Sequence, residues 1–335
     1  MPINTDLISE QYRARAVDVP GRRLLITNLR NSEQESDLSI PVNSNGYGRI
    51  HTFRRSTSDG WPANPLPIDP ACKALGLQPL DAIAAQVFQN AVCNWRCWYC
   101  FVDFKLLSAN RKYSEFMSAS ELVDGYLNQT TPPPMIDLSG GQPDLVPEWV
   151  PWMMTELRER GLEETVYLWS DDNLSNDYFW RYLTEADHEL IASYKNYGRV
   201  CCFKGFNAES FKFNTKASAS LFDRQFQLMK RLVNSGVDTY AYATFTTSSD
   251  KEIPSDMTSF VDRLQEIDPN LPLRVVPLEV KVFTPVESRL DEERRASLDN
   301  QRIAIEAWEN ELTNRFTSEM RSLNIAEVQL AGKRT

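Results

Sequence analysis

Hydrophobic and polar positions along this chain alternate between two periods. From about residue 82, short apolar runs bounded by Gly, Pro, Asn or Asp read as buried strands, and the stretches between them carry apolar residues at helical spacing. Residues 84–88 (AAQVF) predict a first strand. Ser118 and Glu121 stand at capping-box spacing ahead of Leu122 and Val123 and predict a helix start. A second strand is expected over 135–138, closed by Ser139, Gly140 and Gly141. A helix follows over 148–160, with Pro147 near its first turn and Gly161 as its stop. The pattern then gives a third strand at 166–169, a helical stretch from 177 to 194, a fourth strand at 199–203 and a helix over 217–234 ended by Gly236. A fifth strand is expected over 238–246, a helix capped by Ser255 runs to Ile267, a sixth strand covers 273–283, and a long last helix covers 291–316.

Strand ends near 138, 169, 203, 246 and 283 repeat at the length of a βα unit, and consecutive units build a parallel sheet. Six units fall short of the eight of a closed barrel. The expected fold is therefore α/β: a partial (βα)6 TIM-like barrel over 81–290, with an N-terminal extension over 1–80 and a C-terminal helical segment over 291–335. Ligands of such folds sit at the carboxyl ends of the strands. The extension is basic, with Arg13, Arg15, Arg22, Arg23, Arg30, Arg49, Arg54 and Arg55, and residues 62–70 (PANPLPIDP) read as a linker or wrapping segment. Either it covers one side of the barrel, or some of its arginines face an anionic substrate or partner.

Composition narrows the chemistry. The 335 residues are 42% hydrophobic and 24% charged, which is globular, and 36 Lys and Arg against 46 Asp and Glu leave a net charge of −10. A net acidic chain presents no general phosphate-binding surface, so broad nucleic-acid binding is not expected. His51 and His188 are the only histidines, too few for a His-rich zinc site. No apolar run is long enough to span a membrane, and the first residues (MPINTDLISEQYRARAV) show no apolar signal region, so the expected location is the cytoplasm.

Cysteine says more. Of the six, Cys93, Cys97 and Cys100 form a C-x3-C-x2-C cluster just past the first strand, while Cys72, Cys201 and Cys202 lie elsewhere. A cytoplasmic chain keeps few disulfides, so the cluster reads as metal-binding. A closed zinc or ordinary iron–sulfur site takes four ligands. Three thiolates on one loop would leave one iron of a [4Fe–4S] cube open to an outside ligand. A structural zinc or electron-transfer iron–sulfur site, with Cys72, Cys201 or Cys202 as fourth ligand, is the alternative of a different class. Cys201 and Cys202 alternate along a strand and read as one inward and one outward side chain, more core than ligand.

The loop resembles the signature of the radical S-adenosylmethionine superfamily, C-x3-C-x-aromatic-C, with Tyr99 as the aromatic. The resemblance covers roughly 84–285 and looks most like single-cluster, activating-enzyme-type members. It implies a [4Fe–4S] cluster on Cys93, Cys97 and Cys100, and S-adenosylmethionine chelating the open iron. Reductive cleavage would then give a 5′-deoxyadenosyl radical that abstracts hydrogen from substrate. It also implies that Tyr99 and the backbone near Phe101 border the adenine. Ser139-Gly140-Gly141-Gln142-Pro143 resembles the family's Gly-Gly-Glu-Pro element, which holds the cofactor's amino group, with Gln142 in place of Glu. Ser170, Asp171 and Asn173 look like its polar strand-end segment, and Lys204 resembles a basic residue that pairs with the cofactor carboxylate. Tyr240, Tyr242 and Thr244 share one face of the fifth strand; Thr244 would reach the cofactor or pack the core. Glu279 and Lys281, charges on one face of the sixth strand, are candidate substrate residues, and an exposed edge strand accounts for them equally. A reducing partner such as flavodoxin or ferredoxin is implied. The substrate stays open between a small molecule, a peptide, an RNA and a partner protein, as in glycyl-radical activases.

Overall fold

Alternating apolar side chains build two sheets from ten strands: β1 (Val17–Asp18), β2 (Arg23–Thr27), β3 (Gly48–Arg54), β4 (Ala82–Gln89), β5 (Ser114–Ser118), β6 (Met135–Ser139), β7 (Tyr167–Asp172), β8 (Tyr197–Phe203), β9 (Thr239–Ala243) and β10 (Val275–Pro277). The computed structural model describes residues 2–331. Its helices are α1 (Thr5–Ala16), α2 (Ile68–Leu75), α3 (Ala119–Leu127), α4 (Trp149–Glu159), α5 (Tyr178–Tyr182), α6 (Glu185–Ser193), α7 (Ala208–Thr215), α8 (Phe222–Asn234), α9 (Ile253–Ile267), α10 (Thr284–Glu287), α11 (Glu292–Arg315) and α12 (Ser318–Arg321).

The large sheet runs β10-β9-β8-β7-β6-β4-β3. Six of its strands are parallel, and β3 joins antiparallel to β4. These six parallel strands, their connecting helices and the unjoined edges form the partial (βα)6 barrel. The seam between β3 and β10 is bridged by chain rather than by a ladder: the Trp61 indole N–H donates to Pro277 O at 3.2 Å, and Asn64 Nδ2 to the Tyr242 hydroxyl at 3.1 Å. Because strand side chains alternate, the sheet has two cores. On the concave face Ile83, Ala85, Val87, Met135, Tyr167, Trp169, Val200 and Tyr240 pack around Cys72 and its neighbours on α2. On the other face Ile136, Leu138, Leu168, Cys201, Phe203 and Ala241 belong to the larger core that the helices complete. Cys201 and Cys202 therefore point to opposite faces, as alternation required.

Several boundaries move for physical reasons. The sixth strand ends at Pro277, after which Leu278 N makes a last donation to Ala243 O at 2.8 Å. Beyond it Gln301 of α11 takes over the backbone, accepting from Val280 N at 3.0 Å and donating to Val280 O at 3.1 Å. Glu279 and Lys281 thus lie in irregular chain past the strand and pair with each other at 3.1 Å, so the buried-strand argument for them fails. The helix expected to be capped by Ser255 is capped three residues earlier, at Glu252, and Pro254 suits its first turn; the Ser255 hydroxyl donates to Glu252 O instead of capping. The single stretch 177–194 is two helices, because Thr184 and Asp187 form a capping box in its middle. α7, with its own box of Asn207 and Ser210, was missing from the sequence pattern. Strand β7 is longer than expected and takes in Ser170, Asp171 and Asp172.

The first 80 residues supply parts of the body itself: β3 extends the main sheet, β2 pairs with β5, and Arg13 of α1 pairs with Glu148 at 2.5 Å while stacking on Tyr182 at 3.6 Å. In the C-terminal segment α11 covers the barrel through Ala304, Ile305 and Trp308; residues 332–335 lie outside the described residues. No helix among the described residues is long and apolar enough to cross a membrane.

Candidate functional site

The cysteine loop leaves β4 at its carboxyl end and is pinned on every side. Asn90 N donates to Ser139 O, Cys93 N to Leu107 O, and Trp98 N to Asn214 O, each at 3.1 Å. Asn94, fully buried, donates to Ser9 of α1 at 2.9 Å and to Ser175 at 2.8 Å. The Trp95 and Trp98 indoles donate to Thr5 and Asn214, each at 3.0 Å, so both tryptophans are packing residues. Two guanidinium groups clamp the loop's ends. Arg96 donates to Cys93 O at 2.6 Å and Trp95 O at 2.7 Å. Arg289, from the chain between α10 and α11, donates to Cys100 O at 2.6 Å and Val102 O at 3.0 Å.

Burial pushes the thiols of Cys93, Cys97 and Cys100 up, Cys97 to about 12, and Lys204 pulls each of them back. Burial alone would lower the Lys204 ammonium, but Cys202, Tyr99, Cys97 and Cys93 around it raise it well above its ordinary value. The Tyr99 hydroxyl donates to Thr244 at 3.1 Å, which links the loop to the end of β9. Asn173 Nδ2 lies 3.9 Å from Cys93 Sγ, and its Oδ1 is buried without a hydrogen-bond partner.

The turn after β6 fits only glycine. Gly140 (φ +77°) and Gly141 (φ +33°) are both left-handed, and a Cβ on Gly141 would stand 2.0 Å from Val92 O of the cysteine loop. Gln142 N donates back to that same Val92 O at 2.7 Å. The Gln142 side chain is already engaged at both ends, donating to Asp172 at 2.8 Å and accepting from Asn173 N at 2.9 Å. It ties the β6 turn to the end of β7, with both ends of the amide engaged.

Of the expected site residues, Cys93, Cys97, Cys100, Tyr99, Gly140, Gly141, Asp171, Asn173 and Lys204 gather at this carboxyl end of the sheet. Ser170 turns away: its hydroxyl lies 2.7 Å from that of Tyr197, on the helix-covered face. Glu279 and Lys281 pair beyond β10. Sequence reading passed over Arg96, Arg289 and, on the concave face, Asp137, and held Arg49 only as one of eight arginines of the first 80 residues. Asp137 had a readable signal, as the one charge in the buried strand β6.

Whether these residues suit an iron–sulfur cube is a question of donor chemistry. Among the described residues no three His, Cys, Asp or Glu side chains converge as they stand on one metal ion. A single ion with thiolates at about 2.3 Å needs its sulfurs within roughly 4 Å of one another. A cube takes its corners further apart. Three thiols on one clamped loop, an amide beside Cys93 and a left-handed glycine turn packed on the loop backbone suit a group held at three corners. Of the other cysteines, Cys72 sits on α2 beside Asp69 and Arg55, and Cys201 is in the outer core; Cys202 alone faces Lys204.

No family model matches the sequence, and no curated protein matches it. Solved structures share part of the chain trace. The structure of Streptococcus suis SuiB bound to S-adenosylmethionine superposes with a TM-score of 0.42 at 17% identity over 69% of this chain and 48% of that one. SuiB bound to precursor peptide SuiA gives 0.37 at 15% identity, over 53% and 36% of the two chains. Native anSMEcpe with bound AdoMet gives 0.35 at 13% identity, over 56% and 62%. The chain spans half or less of the SuiB chains it matches.

Proposed function

We propose that this protein is a radical S-adenosylmethionine enzyme, with Cys93, Cys97 and Cys100 holding a [4Fe–4S] cluster. The observation that carries the reading is the three-thiol loop clamped at the carboxyl end of the first parallel strand and packed on the Gly140-Gly141 turn of the next. When bound, the cluster and S-adenosylmethionine supply reductive cleavage of the sulfonium and the hydrogen abstraction that follows it. The chain's own residues do the holding. Arg96 and Arg289 fix the loop carbonyls so that the three sulfurs keep their spacing. The backbone at Gly140 and Gly141 leaves room for close approach, and Asn173 offers its unpartnered Oδ1 to a donor. Lys204 stands among the thiols as the cation for a carboxylate. Tyr99 and Thr244 wall the side toward β9. A cytoplasmic location and a low-potential electron donor such as flavodoxin or ferredoxin belong to the same reading.

Anaerobic reconstitution with iron and sulfide tests it. The protein should take up close to four irons, give an EPR signal that changes on adding S-adenosylmethionine, and release 5′-deoxyadenosine under strong reductant. Cys93→Ala, Cys97→Ala and Cys100→Ala should each abolish all three readouts, while Cys72→Ser and Cys201→Ser keep the iron. Metal that depends on Cys72 or Cys201, or a loaded protein that leaves the sulfonium intact, rejects the reading.

A further inference from the structure

Three charged groups on the concave face of the sheet stand outside the hydrogen bonds that hold the cluster loop, although the Arg49 guanidinium lies over the Phe101 ring, 5.8 Å from its centroid. Arg49 of β3 stands opposite Val87 of β4, and Val87 opposite Asp137 of β6, so guanidinium and carboxylate share one row of one face. Asp171 of β7 lies one step nearer the rim and accepts from the Ser139 hydroxyl at 2.6 Å. Arg49 and Asp137 are only 7% and 3% exposed. The guanidinium feels both carboxylates electrostatically, yet among the described residues it forms no ion pair within 4.0 Å. Arg49 Nε and Asp137 Oδ1 have no hydrogen-bond partner. Beside them Gln89, in register with Ser139, accepts from Gln34 at 2.9 Å and leaves its Nε2 and the Gln34 Oε1 unpartnered as well.

Three unmet polar atoms on adjoining strands, and a fourth on Gln34 of the 3-10 turn Glu33–Asp37, are far from the ordinary state of a buried region, where nearly every such atom is paired. A buried guanidinium without an anion in contact is costly, and a neighbouring oxyanion removes that cost. Asp137 is mid-strand in β6 while Lys204 stands just past the end of β8, so the row lies deeper in the barrel than Lys204, with Asp171 in electrostatic reach of both. We propose that Arg49 and Asp137 form the substrate-recognition subsite. Arg49 takes an oxyanion of the substrate, a carboxylate or a phosphate, and Asp137 accepts a hydrogen bond from a donor next to that oxyanion. This rests on reading the rim above as the S-adenosylmethionine site, and it turns one of the basic residues of the first 80 into a substrate contact.

Cluster-loaded full-length protein with S-adenosylmethionine present is titrated with three probes: glycine (carboxylate and donor), phosphoethanolamine (phosphate and donor) and ethanolamine (donor alone). Isothermal titration and the thermal midpoint are the readouts. One of the two anionic probes should bind saturably and raise the midpoint, which identifies the oxyanion, and ethanolamine should do neither. Arg49→Gln should weaken that binding by about tenfold or more, as loss of a charge-assisted contact does. Asp137→Asn should weaken it less, and both variants should hold as much iron as wild type. If Arg49→Gln does not fold, Arg49→Lys serves, because it keeps the cation and should keep part of the binding. Saturable binding of neither anion, equal binding of ethanolamine, or an affinity indifferent to residue 49 overturns the proposal. In those three cases, wild-type release of 5′-deoxyadenosine shows that only the subsite assignment has failed. Its absence with anion binding intact shows that the enzyme reading has failed instead.

Discussion

On the helix-covered face of the sheet, Arg199 of β8 donates to Asp144 and, at 2.9 Å, to Asp172 of β7. Asp172 also accepts from Gln142 and from Leu174 N, both at 2.8 Å. On the concave face of the same sheet, Arg49 stands among Asp137 and Asp171 and touches neither. Each set joins one buried arginine to two aspartates, of which Asp171 is only half-buried, and only the outer one closes, leaving just the Arg199 Nε–H over. Closure is what a structural network needs, because an unpaired buried charge is worse than none. The open set is what a binding chamber needs, since its unmet atoms favour whatever ligand brings the missing partners. Residue type and burial alone do not separate the two; contact does.

The widest gap between the faces should appear in stability. Arg199→Met leaves two carboxylates buried without their cation and is expected to cost about 3–5 kcal/mol. Arg49→Met removes a charge that has no partner in contact and should cost far less or even stabilise. Urea denaturation of the two variants reads the difference directly, and equal losses would mean the two sets are one kind of structure.

A smaller effect is expected where the faces meet. Ser139 belongs to the inner set and Gln142 to the outer, with the glycine turn between them. The family element that this turn resembles carries Glu at the position of Gln142. Here the amide N–H donates to Asp172, which an ionised Glu cannot do. Gln142→Glu should therefore cost about 1–3 kcal/mol and loosen the β6 turn. The thermal midpoint checks this, and an unchanged midpoint would show that Gln142 is interchangeable with Glu and the turn independent of the outer network.

Least in size is a pH effect. Burial, with Asp171 beside it, raises the Asp137 carboxyl well above its ordinary value, and Arg49 opposes that only in part. The folded chain thus holds this proton to higher pH than the unfolded chain. The stability it contributes is complete below about pH 4 and is lost as pH rises toward the folded value. Asp137→Asn should flatten the decline of the thermal midpoint with rising pH. A steeper decline in the variant would place the strain elsewhere.

Much of this was legible in advance. The six parallel strands were each located, because buried runs of β6, β7 and β8 are bounded by turn residues and carry no competing period. The capping box at Ser118 was readable because both of its partners are local. What failed was non-local. The end of the sixth strand depends on Gln301, which comes from a helix two dozen residues on, and the seam depends on Trp61 and Asn64 reaching across the sheet. The three cysteines and the two glycines stood out because the spacing of each group is written in its own short segment. Arg289 was not found, because nothing in residues 284–291 signals that its guanidinium caps Cys100 O.

By itself, then, the order of residues determined the repeat of strand and helix and the thiol loop placed at the carboxyl end of the first parallel strand, since each follows from interactions within a few positions. Tertiary structure alone decided which of eight early arginines entered the barrel and which of two arginine–aspartate sets was left open. Those outcomes turn on strand register and on separations of a few ångströms between segments far apart in the chain, and neither quantity exists until the sheet has formed.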